Sequence, residues 1–119
     1  TDLFWKSEYQ SHLNGAQMIN EVFLVSENPL PAKKFLRGLE LHPLYGHVNV
    51  MSESEFQRRF PGALIADGRF GGYQVGVDTL EVARNLCDKN GVTYVNSDTG
   101  FWVGPETGLG CVIEFNTCV

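Results

Sequence analysis

Apolar and polar positions along the chain fall into a strand-then-helix pattern that occurs twice. Val22-Phe23-Leu24-Val25 is an apolar run of strand character that ends at Glu27-Asn28-Pro29, and Ala32 to Leu36 follows as a helix-like segment. Tyr73-Gln74-Val75-Gly76-Val77 is a second such run. It passes through Asp78-Thr79 into Leu80, Ala83, Leu86 and Cys87, which share one helix face. Glu27 and Asp78 stand 51 positions apart, as do Ala32 and Ala83. This repeat predicts two copies of one strand–helix–strand unit, with a ligand cleft at their junction.

Turn and cap residues punctuate the pattern. The first strand is expected over Met18 to Ser26, with Asn28 as N-cap, Pro29 at the first helical position and Gly38 as the stop. Leu39 to Leu44 and His47 to Met51 are expected as strands around a Tyr45-Gly46 turn. Ser52 and Glu55 form a capping-box pattern for a short helix through Phe60, which Pro61-Gly62 stops. A loop from Ala63 to Gly72 joins the units. A helix from Leu80 to Lys89 ends at Asn90-Gly91, and Val92 to Val95, Gly100 to Val103 and Gly110 to Phe115 follow as short strands. The expected class is α+β: a mixed sheet with the two longer helices on its outer face.

Composition narrows the function. The chain has 119 residues, 43% hydrophobic and 19% charged, which suits one globular domain. Its net charge of −5 argues against nucleic acid as a partner. The basic pair Arg58-Arg59 reads as a solvated helix face. No apolar run approaches the roughly 20 residues of a membrane span, and no signal-peptide pattern opens the chain. Cys87, Cys111 and Cys118 contain no C-x-x-C pair, so neither a disulfide framework nor a structural zinc site is expected, and a cytoplasmic location fits. Cys87 reads as a small core residue. Phe4, Trp5 and Tyr9 are too apolar for a free tail, so residues 1–17 are expected to be a linker or docking segment. The opening Thr1 fits a processed chain or part of a longer protein.

Val75-Gly76-Val77-Asp78-Thr79-Leu80, Asn90-Gly91-Val92, Phe101-Trp102-Val103-Gly104-Pro105 and Gly110-Cys111-Val112-Ile113-Glu114-Phe115 occur in this order. Together they resemble the vicinal-oxygen-chelate superfamily, and within it the glyoxalase-like domains. The first unit agrees through Asn14-Gly15-Ala16, Val22 to Pro29 and Phe56 to Gly62. The opening segment resembles the linker before the C-terminal domain of longer members. The resemblance implies two βαβββ-type modules, about 18–62 and 69–117, within a domain over 18–119. They would form a curved sheet around a ligand cup, as in glyoxalase and bleomycin-resistance folds. In metal-using members four ligands, usually His and Glu, come from the first and last strands of both modules.

Strand alternation gives the side chains a face. With Val22 and Leu24 packed toward the helices, Glu21, Phe23 and Val25 face the cup. The same rule places His47, Asn49 and Met51, then Gly72, Gln74 and Gly76, then Val112, Glu114 and Asn116 on that side. Motif matching puts the four metal positions implied by the resemblance at Glu21, Asn49, Gly72 and Glu114. No histidine stands at any of them, and Gly72 has no side chain. Glu21 and Glu114 are therefore the candidate metal ligands, suited to a hard cation such as Mg²⁺ or Mn²⁺ and not to zinc. The plain alternative is two acids lining a solvated cup, with no cofactor. Candidate ligand-binding residues are Glu21, Phe23, His47, Asn49, Gln74, Trp102 and Glu114, with His47 as a proton carrier and Phe23, Met51, Val112 and either Phe101 or Trp102 as apolar walls. The glycine-rich run Gly104 to Gly110 precedes a strand and lacks a phosphate-binding lysine, so it reads as a rim loop.

Three functions are compatible with these residues. The first is a glyoxalase-like domain that binds a small molecule without the usual metal. The second is a divalent-metal-dependent lyase, isomerase or dioxygenase of the same superfamily. The third is a structural module that forms a homodimer or completes a preceding domain of the same protein.

Overall fold

The computed structural model describes residues 12–38, 47–65 and 70–117. The elements run β1 (Ala16–Val25), α1 (Pro29–Gly38), β2 (His47–Met51), α2 (Glu53–Arg59), β3 (Phe70–Val77), α3 (Leu80–Lys89), β4 (Val95–Asn96), β5 (Gly100–Val103) and β6 (Val112–Thr117). The strands form one mixed sheet in the order β2-β1-β3-β6-β5-β4. The α+β class and the repeated unit are as the sequence implies. The strand expected over Leu39 to Leu44 lies outside the described residues.

Local chemistry sets the helix ends. The Ser52 hydroxyl accepts from the Glu55 N–H at 3.2 Å and donates to the Glu55 carboxylate at 3.1 Å, so α2 starts where the capping pattern places it. At the end of α3, Gly91 takes a φ of 68°, and the Val92 N–H closes on the Cys87 carbonyl at 2.8 Å. A glycine adopts that left-handed turn without a Cβ penalty.

The sheet carries the repeat in its register. The central strands β1 and β3 run antiparallel, with Val22 opposite Tyr73. Those two residues are 51 apart, so the pair maps onto itself under the repeat. Glu21 opposite Gln74 maps onto Gly72 opposite Phe23, and Ile19 opposite Val75 maps onto Phe70 opposite Leu24. The register slips beside Asn20 on β1 and beside Gly71 on β3, again 51 apart, so an irregularity is duplicated with the strands. Each central strand has a parallel outer neighbour, β2 on β1 and β6 on β3. The second unit adds the β4–β5 hairpin beyond β6. Val92 to Val95, expected as a strand, pairs only at its end, through Val95 and Asn96.

The two faces of the sheet differ from the expectation. On the outer face Leu80, Ala83 and Cys87 of α3 pack with Val75, Val77, Phe101 and Phe115. Val22, Leu24, Tyr73 and Ile113, whose alternation gives them to that face, are only half-buried. The cup face is the drier one. Phe23, Val25, Met51, Trp102 and Val112 form one cluster with Phe56, Phe60, Ala63 and Ile65. The reason is α2. Phe56 and Phe60 stand four residues apart and lie on one side of this short helix, which covers the cup face and fills it with phenyl rings. The sequence pattern gave the outer face two helices and left α2 without a place.

Candidate functional site

A row of polar side chains crosses the sheet beneath α2. His47 pairs in register with Glu21, Glu21 with Gln74, Gln74 with Glu114, and Glu114 with Trp102. Neighbouring strands lie about 4.8 Å apart, so this register brings side chains from five strands into one line. Glu21 is 7% exposed, Gln74 8% and Glu114 3%. The two acids expected to line a solvated cup are therefore buried.

Arg59 explains how two buried carboxylates are tolerated. It donates from Nη1 to Glu21 Oε1 at 3.2 Å, and from Nη2 to Glu21 Oε2 at 3.2 Å and Glu114 Oε1 at 2.8 Å. This forked geometry, bidentate on one acid and shared with the other, is what a planar guanidinium provides. Its Cζ lies 4.6 Å from the centre of the Phe23 ring and 5.3 Å from that of Phe60, so its faces meet aromatic surface while its edge meets oxygen. Burial alone lowers the Arg59 pKa, but hydrogen bonds and charge from Glu21 and Glu114 outweigh it, and the net direction is up. Arg59 is therefore charged throughout the working pH range.

Amides complete the network. Asn49 donates to Glu21 Oε1 at 2.7 Å, and Gln74 donates to Glu114 Oε1 at 2.5 Å. Asn20 donates to Asn116 at 2.8 Å and to Gln74 Oε1 at 3.3 Å. His47 Nε2 stands 3.5 Å from Glu21 Oε1, with its side chain 64% exposed. The Arg59 side chain is 31% exposed, so these two groups mark the open side of the cluster.

The structure thus brings Glu21, His47, Asn49, Gln74 and Glu114 together. Phe23 and Trp102 stand with them as buried walls: Phe60 packs on Phe23 at 5.2 Å between ring centres and edge-on against Trp102 at 5.5 Å. Gly72 lies one step along β3 from the polar row. A Cβ there would sit 1.9 Å from the Val112 carbonyl oxygen at a φ of +151°, so strand approach, and not ligation, explains the missing side chain. Among the described residues no three His, Cys, Asp or Glu side chains form a group that could hold a metal.

Arg59 is the residue that sequence reasoning missed. Arg58 is exposed, as a solvated helix face implies, but Arg59 points inward to the two acids. The signal was present: Phe56, Arg59 and Phe60 follow the i, i+3, i+4 spacing of one helix face. The Gly104 to Gly110 segment is a hydrogen-bonded turn, with Gly108 N–H to Gly104 O and Gly110 N–H to Pro105 O both at 2.8 Å.

No protein-family model and no curated protein matches the chain significantly. In three dimensions it is similar to the crystal structure of methylmalonyl-CoA epimerase from Mycobacterium tuberculosis, with a TM-score of 0.64 over 96% of each chain at 12% identity. At that identity the likeness is one of fold alone: an α+β, glyoxalase-like architecture. No helix among the described residues is long and apolar enough to cross a membrane.

Proposed function

We propose that this chain is a small-molecule-binding domain of glyoxalase-like fold that works without a metal at Glu21 and Glu114. One observation carries the reading: a buried polar row at the centre of the sheet, held by Arg59 between its two acids and open to solvent at Arg59 and His47. Burying two carboxylates is costly, and apolar replacements of similar volume are often as stable. A satisfied polar network beneath α2, reached from solvent at His47 and Arg59, fits recognition of a small organic molecule at its edge, through His47, Asn49 and the outer edge of Arg59. The acids serve to orient the guanidinium and the amides.

The test is thermal unfolding in EDTA against a panel of small organic acids, amines and aromatic compounds. A true ligand raises the midpoint by mass action, equally with and without EDTA, and the rise is reduced in His47→Ala and Asn49→Ala. A panel with no active compound, or a shift that needs added metal, would sink this reading.

A pairing role is the second reading, and it rests on a separate observation. Ile19 and Phe70, equivalent under the repeat, are 52% and 45% exposed, while Leu30 and Phe35 of α1 are 76% and 67% exposed. Such apolar surface suits a second copy or a preceding domain of the same protein. Sedimentation across a concentration series decides it: a single monomeric species would rule out the homodimer.

A further inference from the structure

We infer that Arg59 is a built-in cation: its guanidinium holds the place a divalent ion would need between Glu21 and Glu114, and the cradle becomes a metal site only when Arg59 is removed. The inference rests on the metal-independent reading above and gives it a cause. Glu21 on β1 and Glu114 on β6 flank β3, and their carboxylates reach across Gln74 to one shared positive group. Two acids this deeply buried require a cation, because unpaired buried charge is the costlier state. The sheet supplies none. The cation comes from α2.

A free ion would compete poorly for this position. Arg59 is tethered, so its local concentration at the carboxylates is set by the chain and not by the solvent. It also leaves only at the expense of packing. Withdrawing the guanidinium would uncover the faces of Phe23 and Phe60, over which its Cζ lies at 4.6 and 5.3 Å. The amides are turned for this arrangement as well: Asn49 and Gln74 present N–H groups to the two acids, as carboxylates paired with a guanidinium require, and not oxygens to a metal. The donor set does not fit a divalent ion while Arg59 is in place. Without Arg59, the two carboxylates remain with the Asn49 amide beside them, and oxygen donors of that kind suit a hard cation such as Mn²⁺ or Mg²⁺ completed by water.

The experiment is thermal unfolding of wild type, Arg59→Met and Arg59→Met/Glu114→Gln, each in EDTA and in millimolar Mn²⁺ or Mg²⁺. Wild type should show no metal-dependent shift. Arg59→Met should gain at least about 5 °C with Mn²⁺, a gain reversed by EDTA and absent in the double variant. Arg59→Gln serves if the methionine variant does not fold. A wild type stabilised by Mn²⁺ and losing that response in Glu114→Gln would overturn the inference. So would a folded Arg59 variant indifferent to both metals, or variants that stay unfolded with metal and without it. Ligand binding by wild type in EDTA is scored separately, so the binding reading can stand or fall without this one.

Discussion

The two faces of the sheet solve the burial problem in opposite ways. The outer face meets α3 through a modest apolar cluster and leaves Val22, Leu24 and Ile113 half-buried. The cup face is covered by a seven-residue helix, yet it holds the fully buried Phe23, Phe56 and Phe60, against Phe101 on the outer face, and beside them two carboxylates and an arginine. The lesson is that helix length does not decide where a small α+β domain is driest. Two aromatic side chains at the right spacing outweigh a longer helix. They also create the low-dielectric setting in which one guanidinium controls two acids.

The comparison breaks hardest at Phe60. Phe60→Ala removes a ring that touches Phe23, Phe56 and Trp102, and should cost about 3–5 kcal/mol by urea unfolding. Phe35→Ala on the exposed side of α1 should stay within about 0.5 kcal/mol. Next comes the charge cluster. Arg59→Met should lose about 3 kcal/mol, and the triple variant Arg59→Met/Glu21→Gln/Glu114→Gln should recover most of it, because no uncompensated charge is left. The raised Arg59 pKa fixes the pH behaviour. A raised folded-state value contributes stability that is fully present below the unfolded value and lost only as pH rises through the folded one. The Arg59 contribution should therefore persist to at least about pH 9, read as the stability of wild type minus that of Arg59→Met.

Gly72→Ala probes the β3–β6 seam within the second unit. Its Cβ would strike the Val112 carbonyl, so a loss of about 1–3 kcal/mol is expected by the same denaturation assay. The smallest effect is at the thiols. Burial pushes Cys87 up, with the charge of Asp88 adding to it, and burial pushes Cys111 up. A raised thiol pKa means less thiolate, so both should react with a disulfide reagent more slowly at mildly alkaline pH than a free cysteine peptide.

Much of the fold was legible in the sequence because its signals are local. The Leu80 to Lys89 helix, the Ser52 cap, the Asn90-Gly91 stop and the 51-residue repeat depend on neighbouring residues and a simple period. The candidate site was half legible. Alternation puts Glu21, Asn49, Gln74 and Glu114 on one face; the register aligns Glu21, Gln74 and Glu114, and Asn49 reaches Glu21 by its side-chain hydrogen bond. Two things were hidden by long-range packing. The burial of the acids depends on α2 crossing the sheet, which no local pattern states. The role of Arg59 depends on partners 38 and 55 positions away, so a basic pair on a short helix passed for a solvated face.

The most direct test of the account is a double-mutant cycle between Arg59 and Glu114, measured by urea unfolding of wild type, Arg59→Met, Glu114→Gln and the double variant. The account predicts a coupling of about 2 kcal/mol or more, with the double variant more stable than Arg59→Met alone. A coupling within about 0.5 kcal/mol of zero would mean that the guanidinium does not hold the buried acids, and the central claim would fail.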